Sequence, residues 1–318
     1  FDEQGFVSEK KVPTGTVNSS DCLIIANLDG KGKHHLLLKD AYHTIWAYDK
    51  NLNLLWKTKN PGGYLLAHRI GAYDLDNDGK DEILAGVTIL NGDGQVINKL
   101  KTNSVKLWYG GHIDGIVPIQ QNGKWHIAVT YCDGLGFAQY DAQGNLEWEF
   151  TGEHFEYLVG GYFFNTPELK DKFQLISKIH YKEGNPQVMV NQDGRLLGIM
   201  EPSSTVFSVD WTGDGYHEMV FGSPAEIYSG MQKIADLYIP GNENGNSFAV
   251  RVSDVIGRNS LKTDGIPDIA VRAINDENEH HLYIYANKLG KTPTNYVYPG
   301  IGWESSANYF TKYYEYER

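Results

Sequence analysis

The 318-residue chain is poor in sulfur, with two cysteines, Cys22 and Cys132, and four methionines. Two cysteines so far apart exclude a disulfide framework and a zinc knuckle, and they leave the compartment open. No apolar run approaches the ~20 residues needed to cross a bilayer, so no membrane partner is expected. Positive charge is also scarce: 28 Lys and Arg face 40 Asp and Glu, giving a net charge of −12 and a pI near 5.3. General electrostatic attraction to nucleic acid or to an anionic membrane is thereby excluded. The chain has no G-x-S-x-G, no phosphate-binding glycine loop, no H-E-x-x-H and no dinucleotide fingerprint, which removes the serine hydrolases, nucleotide enzymes and zinc proteases that carry them. It opens on Phe1 rather than Met and no signal peptide starts there, which fits a processed secreted chain or a trimmed one. What is abundant is glycine (35), tyrosine (21) and a 41% hydrophobic content. That composition belongs to tight turns, aromatic strands and a full core.

Repeats come before elements. Candidate first strands begin near Leu23, Ile70, Gly115, Leu158, Val206 and Phe248, spaced by about 43 to 48 residues as in four-stranded propeller blades. A second apolar strand follows in each unit: HHLLLKD, DEILAGV, WHIAVTY, FQLISKIH, HEMVFGS and PDIAVRA. In the first and third units "HTIWAYDKNLNLLWKTK" and "LGFAQYDAQGNLEWEF" share aromatic-x-Tyr-Asp, a polar turn and Leu-x-Trp. The expected fold is all-β, a single β-propeller domain over residues 1–318 with four-stranded blades. Six blades are visible, and a seventh arises if "EKKVPTGTV" and the tail "SSANYFTKYYEYER" share one. A pair of β-sandwiches is the rival, disfavoured by the repeated hairpin.

The loop "AYDLDNDGKDEILAG" sets Asp74, Asp76 and Asp78 on alternate residues before Gly79. With the Lys80 carbonyl and Glu82 they form an all-oxygen set that suits calcium. An EF-hand would continue into a helix, whereas here a short strand follows. "DWTGDGYHE" offers a second, weaker set in Asp210, Thr212, Asp214 and Glu218. "SLKTDGIPD" keeps Asp264 and Asp268, with Asp254 at a distance, and "NLDGKGKHH" sets Lys31 against a cation. Because the motif recurs between first and second strands, a structural clip is expected rather than a catalytic metal.

Strand ends of successive blades gather around one face, so equivalent residues far apart in sequence converge. His43, His68 with Arg69, and His112 stand near blade entrances and are candidates for proton transfer and carboxylate binding, with Tyr131 as a further member. Each also has a structural explanation as a turn or core residue. His34-His35 and His280-His281 are expected as solvated strand starts, and Cys132 is not paired with His126.

On "YDLDNDGKDEILAG", the preceding "AHR", "WAYDKNLNLLW", "GHIDGIVPI" and "AQYDAQGNLEWEF", the sequence resembles the calcium-containing β-propeller polysaccharide lyases, which include rhamnogalacturonan and ulvan lyases. The likeness covers the first half and thins to "VDWTGDGYHEMVFG" and "DGIPDIAV". It implies structural calcium, an acidic polysaccharide substrate, a secreted or periplasmic monomer and β-elimination beside a uronic acid. In those terms His68 is base or acid, His43 or His112 its partner, and Arg69 neutralises the uronate. A non-catalytic propeller binding glycan or protein, and a glycoside hydrolase with two carboxylates, are the alternatives.

Overall fold

The computed structural model describes residues 22–103, 111–132, 136–180, 184–201, 206–222, 224–238, 247–253, 268–274 and 279–286. Six antiparallel sheets follow one another along the chain, each a simple up-and-down meander. Blade 1 is β1 (Cys22–Ala26), β2 (His35–Lys39), β3 (Thr44–Tyr48) and β4 (Leu54–Lys59). Blade 2 is β5 (Leu66–Tyr73), β6 (Glu82–Gly86), β7 (Thr88–Leu90) and β8 (Val96–Lys99). Blade 3 is β9 (Ile113–Gln121), β10 (Lys124–Tyr131), β11 (Gly136–Asp141) and β12 (Leu146–Phe150). Blade 4 is β13 (Phe155–Gly161), β14 (Gln174–Ile179), β15 (Gln187–Asn191) and β16 (Leu196–Met200). Blade 5 is β17 (Val206–Val209), β18 (Glu218–Gly222), β19 (Ala225–Ser229) and β20 (Gln232–Asp236). The sixth sheet has three strands among the described residues: β21 (Ser247–Ser253), β22 (Asp268–Ile274) and β23 (His280–Tyr285). The first strands β1, β5, β9, β13, β17 and β21 lie side by side in that order. This is the blade order of a propeller. The segments proposed for a seventh blade lie outside the described residues, as do Asp254 and Asp264.

The second strands are apolar at their centres because both of their faces are buried there. In β10, Ile127, Val129 and Tyr131 pack into the layer shared with blade 2, while Ala128 packs into the layer shared with blade 4. The core is therefore a set of slabs between blades rather than one central mass: Leu37, Ile45, Ile83 and Leu90 fill the first slab, and Val220, Ile227, Ile269 and Val271 the last. Each such side chain removed from water contributes ~1.5–3 kcal/mol. Outer strands instead alternate with solvent, as β4 does over Leu54–Lys59.

The repeated Tyr-Asp turn has a physical cause. Asp49 Oδ1 accepts the N–H groups of Asn51 and Asn53 (both 2.8 Å), and Asp141 Oδ1 accepts those of Gln143 (2.9 Å) and Asn145 (2.8 Å). Asn91 and Asn191 do the same in blades 2 and 4. A side chain that closes its own turn fixes the hairpin register. The tryptophan of Leu-x-Trp then reaches the next blade: Trp56 Nε1 donates to Gly92 O (2.8 Å) and Trp148 Nε1 to Gln192 O (2.9 Å). The indoles lie on Gly94 and Gly194, where a Cβ would come within 2.7 Å of the ring.

A candidate active site on the inner strands

The starts of β5, β9 and β13 meet the ends of β10 and β14 at one end of blades 2 to 4, and the β2–β3 turn of blade 1 joins them. Asp114, in β9, is 2% exposed. Its Oδ1 lies 3.0 Å from His112 Nε2 and 3.5 Å from His68 Nε2, and its Oδ2 accepts a hydrogen bond from His154 Nε2 (3.0 Å). Tyr42 Oη is hydrogen-bonded to His68 Nε2 at 3.1 Å, and the Tyr42 ring lies 4.5 Å from that of His112. Burial alone would raise the Asp114 pKa, but hydrogen bonds from His112 and His154, with the charges of His112 and His68, hold it below the usual carboxylate value. An ionised carboxylate is thus buried among three imidazoles, an arrangement that orients the rings and stabilises imidazolium when one takes a proton.

The surroundings are tightly held. The buried Lys39 ammonium donates to Ala41 O (2.9 Å) and His68 O (3.0 Å), and Leu66 N donates to Tyr42 O (2.8 Å). Blade 1's turn is thereby fastened to blade 2. Thr130 Oγ1 accepts from Gly115 N (2.9 Å) and donates to Glu156 O, joining blades 3 and 4. Behind His154, His180 lies with ring centroids 5.2 Å apart, its Nδ1 3.0 Å from Glu156 Oε1, and Lys178 Nζ pairs with Glu156 Oε2 at 2.5 Å. Burial, with Lys178 and His154 nearby, keeps the His180 pKa lowered despite Glu156.

Of the residues singled out from the sequence, His68 and His112 come together. His43 does not: its side chain is exposed and its Nδ1 is hydrogen-bonded to Asn60 Oδ1 (3.0 Å), because Asp40 Oδ1 accepts the His43 and Thr44 N–H groups and turns the chain so that Tyr42 reaches the centre instead. Tyr131 is fully buried in the slab between blades 2 and 3, with its hydroxyl bonded to that of Tyr140. Its neighbour Cys132 is the residue that reaches Asp114 and His154. Arg69 follows His68 in β5 and is half-buried. His35 is buried rather than solvated, and His34 and Asp29 stand beside it. Asp114, Tyr42, Cys132, His154, Glu156 and His180 were missed. A signal existed: His68, His112 and His154 are 44 and 42 residues apart, one blade each, and His112-x-Asp114 recurs as His154-x-Glu156.

Among the described residues four groups of side chains could hold an ion: two at this end, and two at the opposite end of the blades, one in the β1–β2 loop (Asp29, His34 and His35) and one in the β5–β6 loop. His68, His112 and Asp114 offer ligand atoms within 4.8 Å of one another, as do Asp114, Cys132 and His154, and as do Asp74, Asp76 and Asp78. In the last of these, Asp74 accepts from Asp78 N (3.0 Å) and Gly79 N (2.9 Å), and Gly79 takes φ +88°. Burial, together with Asp76, Asp78 and Asp74, pushes Glu82 up to about 7, although its Oε2 accepts from Leu75 N (2.8 Å). Glu218 in the second loop is pushed to about 7 chiefly by burial, and Asp210 is raised for the same reason. A buried carboxylate such as Glu82, pushed up by burial and by the carboxylates around it, fits the shell of a hard divalent cation. Lys31, by contrast, pairs with Asp29 at 3.4 Å in the blade 1 loop.

The acidic loops also join blades. Asp81 N donates to Asn27 O (2.8 Å) and Asp81 Oδ2 accepts from Asn27 N (2.7 Å). His217 repeats this on Tyr162, donating from its N (2.7 Å) and accepting at Nδ1 (3.1 Å). The residue before Glu82 or Glu218 thus anchors its loop to the preceding blade.

No protein-family model matches the sequence, and no curated protein sequence matches it. Solved structures do. The chain is similar to rhamnogalacturonan lyase YesW, with TM-score 0.60 and 19% identity over 85% of this chain and 46% of that one. It is similar to a Bacillus licheniformis rhamnogalacturonan lyase PL11, with TM-score 0.59 and 19% identity over 88% and 49%. The Dos1 propeller gives TM-score 0.52 and 11% identity over 84% and 69%. The chain spans about half the length of the two lyases. At these identities the likeness establishes one thing: the protein is an all-β propeller.

Proposed function

We propose that the protein is a polysaccharide lyase that cleaves a uronic-acid-containing polymer by β-elimination, at the end of the blades where Tyr42, His68 and His112 meet Asp114. The observation that carries this reading is the hydrogen-bonded Tyr42–His68 pair set against a buried, ionised carboxylate. One member of the pair takes the C5 proton of the uronate, the electrons form the C4–C5 double bond, the C4–O bond breaks, and the other member protonates the leaving oxygen. Asp114 fixes the imidazoles and stabilises the charge that His68 gains. Arg69 and His112 are assigned to the substrate carboxylate, whose neutralisation lowers the cost of the carbanion-like state. Calcium is proposed for the loop of Asp74, Asp76, Asp78, Lys80 and Glu82, and more weakly for Asp210, Thr212, Asp214 and Glu218, as a clip between strands. A polymer substrate favours action by a monomer outside the cell or in the periplasm.

The test is product formation. Incubation with a panel of uronate polysaccharides should generate an unsaturated uronate absorbing in the far ultraviolet, and His68→Ala and Tyr42→Phe should each lower its rate at least ~100-fold, the upper part of the general acid–base range. Tight binding of an uncut glycan would replace this reading by a non-catalytic binding propeller. Products without the unsaturated end would indicate a hydrolase.

A further inference from the structure

We propose a second, separate feature beside that site: a zinc-class transition-metal ion held by Cys132 Sγ, His154 Nε2 and the Asp114 oxygen that faces His154. The three ligand atoms lie within 4.8 Å of one another. Around a tetrahedral zinc, ligands at ~2.0–2.3 Å stand roughly 3.5 Å apart, so small side-chain adjustments close the shell. A thiolate, an imidazole and a carboxylate form a donor set for zinc and its neighbours, not for calcium, which takes oxygens alone. The acidic loop at Asp74 is the opposite case, with oxygen donors only.

Charge argues in the same direction. Asp114 is buried, with its Oδ1 3.0 Å from His112 Nε2. Burying the Asp114 charge is costly, and a divalent ion bound by one carboxylate and one thiolate leaves the centre neutral. The scaffold is already rigid. Cys132 N donates to His112 O (3.1 Å), which ties the end of β10 to the start of β9, and His154 opens β13 in the next blade. Among the other His-containing groups, Asp29, His34 and His35 do not qualify: His35 Nδ1 accepts the Leu28 N–H (3.2 Å), which leaves the proton on Nε2 and no lone pair for a metal. The site takes Cys132, His154 and the Asp114 oxygen facing His154, and leaves the other Asp114 oxygen, 3.5 Å from His68 Nε2, with His68 and Tyr42 for the proposed elimination.

Cobalt reports the site directly. The full chain, stripped with a chelator and titrated with Co2+, should develop a thiolate-to-cobalt charge-transfer band in the near ultraviolet, bleached by Zn2+ and untouched by Ca2+. Cys132→Ser should lose the band completely, while Cys22→Ser keeps it, with circular dichroism recorded on each to recognise a variant that fails to fold. The wild-type spectrum needs no variant. Cobalt bound without the band, a band that survives in folded Cys132→Ser, or no cobalt bound at all overturns the proposal. A band in a protein that forms no unsaturated product upholds the metal site and removes the lyase reading.

Discussion

Replacing Trp148 should lower the melting temperature in two separable steps. The indole bridges blades 3 and 4: its ring meets Phe137 (5.2 Å) and Phe150 (5.7 Å), lies on Gly194, and its Nε1 donates to Gln192 O. Deleting a fully buried tryptophan costs ~3–5 kcal/mol. Trp148 is half-buried, which reduces the cost of Trp148→Ala to about 2–3 kcal/mol. Trp148→Phe keeps an aromatic ring and loses the N–H donor together with part of the indole's contact area. Gln192 O still receives Gln139 Nε2 (3.1 Å), so no orphaned carbonyl is left. The expected loss is then about 1–2 kcal/mol, the net value of one hydrogen bond and the smaller ring, and stays below that of alanine. With an unfolding entropy of ~2.1 cal/mol/K per residue, these become about 3–4 °C for alanine and about 1.5–3 °C for phenylalanine. Scanning calorimetry on the two variants reads both numbers. If alanine melts with wild type, the indole does not join the blades, and if phenylalanine falls as far as alanine, the aromatic packing it retains contributes nothing. Trp56, which makes the same bridge between blades 1 and 2, is far enough away that the double variant should lose the sum of the two single losses.

Calcium should raise the melting temperature, and a chelator lower it, by the mass-action amount of about 2.7 kcal/mol at a hundredfold excess over the dissociation constant. The chelated protein should also be pH-sensitive. Glu82 and Glu218 are raised to about 7 in the fold, so their contribution is complete below their unfolded value of 4.5 and is lost as pH rises through 7. Thermal melts from pH 5 to 8 should therefore fall without calcium and flatten with it; a fall that calcium leaves unchanged would remove these carboxylates from the metal shell. Lys39→Met should cost about 1–3 kcal/mol by taking a donor from the Ala41 and His68 carbonyls. In the proposed lyase it should lower turnover more than substrate affinity, because Tyr42 and His68 belong to different blades and Lys39 helps set their spacing. Unchanged turnover would reduce Lys39 to a structural residue.

The fold was legible because the two halves of each blade carry different signals. First and second strands, β1 with its exposed Leu23 and Ile25 apart, are largely buried on both faces and appear as apolar runs, and the third and fourth are joined by a turn whose first residue closes it. The Asp49 and Asp141 turns were visible as Tyr-Asp, whereas Asn91 and Asn191 do the same work without the motif. Strand spacing therefore identified blades that local similarity did not. The sixth sheet shows three strands among the described residues, and the proposed closing blade falls outside them.

The candidate site was half legible for a reason specific to strand geometry. Neighbouring residues face different ways in a tight turn and at a strand end, so the choice between Tyr42 and His43 depends on how the Asp40 turn closes, and the choice between Tyr131 and Cys132 on which face the register turns inward. Sequence chemistry favoured histidine at the first position and tyrosine at the second; the Asp40 turn and the irregular pairing at Thr130 and Tyr131 decided both the other way. Asp114 was hidden differently. A lone aspartate in an apolar strand is easily taken for an N–H acceptor, yet its position two residues after His112 puts both side chains on one face, and His154 one blade later supplies the third contact. In a propeller whose slabs fill both faces of the sheets, chemistry is confined to strand ends, and residues one blade apart meet there even when no local motif announces them. The spacing of His68, His112 and His154 is therefore the more informative signal than any single histidine with its neighbours.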